Sequence, residues 1–152
     1  MSLPLALSQF GNGMLAEIRA SPLEGDYKMS QGLRITFLMH VVVALGFGIV
    51  MYLVPETWAT LVNWVPFDSA ITRLYGAALL ALAVGSWFGY RATRWHEVRI
   101  VVQMGIALAV LSTLGGLYEL LLAGAPAFTS VAIVIFVVFA VAWIYFYREA
   151  QP

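Results

Sequence analysis

Four long apolar runs govern what this chain can become: Ile35–Val54, Ala70–Tyr90, Ile100–Ala123 and Phe128–Tyr147. A helix needs about 20 apolar residues to cross the hydrocarbon core of a bilayer, and each run meets that length. Lipid offers backbone N–H and C=O groups no partner, so a crossing segment has to satisfy them internally as a helix. The links between the runs are short, which favours antiparallel neighbours. Composition excludes a water-soluble alternative. The chain is 62% hydrophobic and 11% charged, against about 25% charged in soluble domains, and its mean hydropathy is +0.88. The expected fold is all-α: an integral membrane four-helix antiparallel bundle over residues 33–148, with an amino-terminal cytoplasmic arm, 1–32, and a tail, 149–152.

Basic residues orient the spans. Arg19, Lys28 and Arg34 precede the first run, Arg91, Arg94 and Arg99 lie between the second and third, and Arg148 follows the fourth. The other two connections contain no Lys or Arg. By the positive-inside rule both termini and the "RATRWHEVR" loop face the cytoplasm, and the expected location is the bacterial cytoplasmic membrane. Trp58 and Trp64 outside, with Trp95 and Trp143 inside, are expected at the two interfaces, where amphipathic rings favour the headgroup level.

The arm opens without a basic region and carries only a brief apolar stretch, so it does not read as a secretory signal. Ser8–Arg19 is compatible with a short interfacial helix that Gly11 and Gly13 weaken. The arm is either a disordered tail or a segment ordered by docking on a neighbour. Met1 and Met29 are both candidate translation starts.

In "VPETWATLVNWVPFDS", Pro55 and Glu56 suit a helix start, and Trp58, Leu61, Val62 and Val65 share one helical face. This predicts a short amphipathic helix in the outer interface, closed by Pro66, with Asp68 or Ser69 capping the second span. Glu56 and Asp68 have no third polar group nearby and do not read as a catalytic pair.

Arg73 is the one charge in the second run. The third run travels the opposite way and ends in "GGLYELLLA", which puts Glu119 at matching depth. A charge within a span pairs or faces an interior, because burying it alone in lipid costs about 2.5–3.5 kcal/mol or more. An Arg73–Glu119 clasp between the second and third spans is expected, with Tyr75 and Tyr118 as further hydrogen-bonding groups. The competing reading has Arg73 snorkel to the headgroups and Glu119 face water. Ala77, Ala81, Gly85 and Gly89 form a small-residue ridge on the second span, and Gly105, Ala109, Ser112 and Gly116 a comparable face on the third. Small residues let helices approach in lipid, so these two spans are expected to pack together.

His40 lies within the first run. It is a candidate contact for a quinone or a proton. Haem ligation is disfavoured, because His96, the only other histidine, lies in the basic loop at a different depth. The bland reading is a packed interhelical histidine bonded to Gln103 or Ser86. The fourth run, bulky and aromatic nearly all round, is expected to face lipid or a large apolar partner.

The stretch "GIVMYLVPETWATLVNWVPFDSAITRLYGAALLALAVGSW", followed by a basic hairpin and two further spans, resembles a broad group of small bacterial four-helix membrane proteins, DoxX-like in topology. The resemblance implies the fold and a bacterial membrane location, and no active-site residue. No cysteine is present, so thiolate metal sites and cysteine nucleophiles are excluded, and zero net charge gives no sign of nucleic-acid binding. No catalytic residues, metal ligands or cofactor are expected. The expected role is a non-catalytic accessory subunit of a larger bacterial membrane complex, of the respiratory or photosynthetic electron-transfer kind, contacting lipid and other membrane subunits. The alternative is a self-sufficient small transporter or lipid- or quinone-binding protein that uses the Arg73–Glu119 region as a polar pocket.

Overall fold

The computed structural model describes residues 28–150. They form five helices: α1 (Gln31–Leu53), α2 (Pro55–Val62), α3 (Ser69–Arg91), α4 (Trp95–Leu122) and α5 (Phe128–Glu149). Four of them, α1, α3, α4 and α5, are long and apolar enough to cross a membrane. Among the described residues the regular structure is all helical, and one isolated bridge joins Lys28 with Arg94. The expected helix at Ser8–Arg19 lies outside the described residues.

Local chemistry sets the helix ends. Ser30 starts α1 ahead of the apolar run, its hydroxyl accepting from the Leu33 amide at 3.2 Å, which satisfies one of the open N–H groups of the first turn. Asp68 caps α3, one carboxylate oxygen accepting from the amides of Ala70 (2.8 Å) and Ile71 (3.0 Å). α4 begins at Trp95 rather than at Ile100, because the Glu97 carboxylate folds back onto the amides of Thr93 (3.0 Å) and Arg94 (3.3 Å). α2 ends at Asn63, whose left-handed backbone (φ 54°) closes the helix before Pro66 is reached. It buries Pro55, Ala59 and Val62, while Leu61 and Val65, expected on its apolar face, point outward.

The pairing of the long helices differs from expectation. α3 packs along α1, α4 along α5, α1 also touches α5, and α3 and α4 meet only sparsely. Steric matching explains this. A Cβ on Gly76 of α3 would lie 2.7 Å from the amide nitrogen of Tyr52 and 3.0 Å from the carbonyl oxygen of Gly48, so α1 and α3 cross backbone to backbone. Gly89 takes the Phe37 ring against it. The small face expected to carry α4 onto α3 instead receives α5: Gly105 lies under the Trp143 indole and Gly116 under Ile133.

The core gathers where α1, α4 and α5 converge. It contains Leu33, Phe37, Val98, Val102, Trp95 and Trp143, joined by Met29 from the segment before α1. The Met29 amide donates to the Thr93 carbonyl at 3.0 Å, which ties that segment to the α3–α4 turn. Trp95 (6% exposed) and Trp143 (2%) are therefore core residues and not interfacial anchors. Phe37 meets Trp143 edge-on at 4.7 Å between ring centroids, a favoured aromatic geometry.

Candidate functional site

The sparse contact between α3 and α4 leaves a cleft of ≈ 490 Å³ at the end of the molecule that carries α2. Met51, Trp58, Ala59 and Trp64 wall it from the α1–α2 side, and Ile71 and Tyr75 from α3. Ser112, Gly116 and Glu119 of α4, with Phe128, Thr129, Ala132 and Phe136 of α5, close the opposite side. A second cavity of ≈ 90 Å³ adjoins it and reaches His40. The two share Met51, Trp58, Tyr75, Phe128, Ala132 and Phe136. Trp58 is positioned by Pro55, which turns the chain into α2 so that the indole meets Phe128 edge-on at 5.0 Å and Phe47 at 5.6 Å. It belongs to the cleft wall, and Trp64 to its rim.

Arg73 does not reach Glu119. Its guanidinium bonds the Glu56 carboxylate at 3.1 Å, because α2 folds back beside the first turns of α3 while α4 stands away. Tyr75 lines the cleft, and Tyr118 is exposed. Glu119 sits at the cleft with no side-chain partner among the described residues, while its backbone carbonyl accepts from the amides of Ala123 and Ala125. The Asp68 carboxylate, also at the rim, is occupied by its cap bonds.

At the deep end, His40 Nδ1 and the Ser86 hydroxyl lie 2.7 Å apart, a bond across the α1–α3 seam. Gln103, the other candidate partner, bonds the Tyr147 hydroxyl at 2.9 Å. Phe139 stands edge-on to the imidazole at 4.9 Å. Of the two glycines singled out on α3, Gly89 is buried against Phe37, whereas Gly85 faces open space.

Thr129 is the residue that sequence reasoning passed over. It is 4% exposed, and its hydroxyl has no hydrogen-bond partner among the described residues. A buried hydroxyl without a partner is disfavoured, and native structures seldom keep one. The available signal was a Thr-Ser pair opening an otherwise apolar run.

No family model, curated protein or solved structure matches this chain.

Proposed function

We propose that the chain is a multi-pass membrane protein whose interhelical cleft binds a lipid-like amphiphile from the bilayer. The cleft itself carries this reading. It opens between two helix pairs, its walls are aliphatic and aromatic, and its few polar groups lie mainly toward one end, which suits a molecule with a long apolar body and a compact head. A quinone or lipid whose body reaches the chamber beside His40 is compatible with the same walls. In this reading the four long helices form an antiparallel bundle in a bacterial cytoplasmic membrane, with the Arg34, Arg91, Arg94 and Arg148 end inside.

The test uses the protein in lipid nanodiscs and a neutral pyrene-labelled alkanol. Trp58 and Trp64 line the cleft, so saturable energy transfer from tryptophan to pyrene reports occupancy. Ala132 lines both cavities, and Ala132→Phe fills them. Saturable transfer that this substitution abolishes supports the reading. Transfer that rises linearly with probe and ignores the substitution overturns it.

The accessory-subunit reading has a separate observation in its favour. Gly85 faces open space in a second groove between α3 and α4, and a glycine at such a place lets another membrane helix approach closely. Gly85→Leu, followed by native-gel analysis of mild-detergent extracts, tests it. A large assembly lost on substitution supports this role, and an unchanged particle of this chain alone removes it.

A further inference from the structure

Resting on the cleft reading, we infer that the site selects amphiphiles with a positively charged head, such as a lipid amine or a free lipophilic cation. The charges around the mouth carry the inference. Four ionisable groups from the acid and arginine set stand at this end: Glu56, Asp68, Arg73 and Glu119. Glu56 and Arg73 neutralise each other at 3.1 Å. Asp68 spends its charge on the amides that open α3, where a negative charge also answers the positive helix end. The negative end of α4 and the positive end of α5 border the mouth together and offset one another. Glu119 is left over, a carboxylate on the cleft wall with no cation bonded to it among the described residues.

The walls beside it suit a cation with an apolar body. Trp58, Trp64 and Phe128 present aromatic rings, and ring faces attract ammonium-type charge, more strongly where water is excluded. An independent sign of an occupant is Thr129, a residue of the same cleft wall whose buried hydroxyl has no hydrogen-bond partner among the described residues. An anionic head would meet the Glu119 carboxylate with no cation to offset it.

Tetraphenylphosphonium is the probe, with tetraphenylborate as its anion of matching shape, both read by tryptophan quenching in nanodiscs of neutral lipid. The expected result is saturable binding of the phosphonium at least tenfold tighter than that of the borate. Glu119→Gln, an exposed isosteric change, is expected to remove most of that preference. Equal affinity for the two ions, or a preference unchanged in Glu119→Gln, overturns the inference. Mass spectrometry of co-purified lipid separates the two sources. An amine-headed lipid enriched in the wild type and lost in Glu119→Gln identifies a bilayer ligand, and phosphonium binding without such enrichment identifies a free cation. The neutral pyrene alkanol keeps the two levels apart. If it binds and Ala132→Phe blocks it while charge preference is absent, only the cation selectivity fails. If it also fails to bind saturably, the cleft reading falls with it.

Discussion

Gly76 lies against Gly48 so closely that a Cβ on Gly76 would stand 3.0 Å from the Gly48 carbonyl oxygen. The neighbouring atoms are backbone, which cannot rotate away as a side chain would. Gly76→Ala is therefore expected to force α1 and α3 apart at a cost of about 1–3 kcal/mol, the range for overpacking a tight core. Gly46→Ala, on the same helix as Gly48 but facing open space, is the control. Thermal unfolding in a fixed detergent should show a large drop for the first and little change for the second.

Gly85 and Gly89 are expected to part company in the same assay. Gly89→Ala meets the Phe37 ring, which is itself fully buried, and should destabilise. Gly85→Ala meets nothing and should be neutral or stabilising by up to about 1 kcal/mol, the helix-propensity difference between the two residues. Equal effects at the two sites would contradict the packing of α3 on α1.

The Arg73–Glu56 pair should be worth little. Its side chains are 44% and 60% exposed, and exposed pairs contribute about 0–1 kcal/mol. A double-mutant cycle with Arg73→Leu and Glu56→Gln should return a small favourable coupling. The corresponding cycle between Arg73 and Glu119 should return none. A larger coupling to Glu119 would restore the clasp expected from the sequence.

Ser86→Ala removes the only side-chain hydrogen bond found for His40 among the described residues. Leaving a largely enclosed polar group without its partner costs about 1–3 kcal/mol. Stability should fall by that order, and Gln103→Leu, which touches Tyr147 and not His40, should leave the His40 environment unchanged. Side-chain ¹⁵N chemical shifts of the imidazole read the difference directly.

The chain has no cysteine, which makes its topology simple to probe. Single cysteines at Thr60 on α2 and Thr93 in the α3–α4 turn, both exposed, should react differently with an impermeant maleimide in intact cells. Thr60→Cys is expected to label from outside, and Thr93→Cys only after permeabilisation. The reverse pattern would invert the proposed orientation.

The positions legible in the sequence share a property: their structural consequence is local. Asp68 caps α3 because its carboxylate needs only the next few amides, and Pro55 starts α2 because its fixed φ suits a first helical turn. His40 was readable as a bonded interhelical histidine, with Ser86 among its two named partners. Arg73 was misread because depth along the membrane normal says nothing about which helix stands beside it. Trp95 and Trp143 were misread for a related reason. A tryptophan near the end of an apolar run looks the same whether it faces headgroups or the core between helices.

By itself, the sequence determined that this chain makes four long apolar helices joined by short links, with a brief helix before the second and a basic set at one end. Length, hydropathy, caps and breakers act within a few residues of one another, so they are written in order along the chain. Only the tertiary structure decided that α1 takes α3 and α4 takes α5, that Arg73 answers Glu56, and that a cleft opens beside Glu119 and Thr129. Helices this uniformly apolar carry no polar stripe to mark which face meets another helix. Their partners are chosen by the fit of rings and branched side chains onto glycine and bare backbone, which appears only when the helices are brought together.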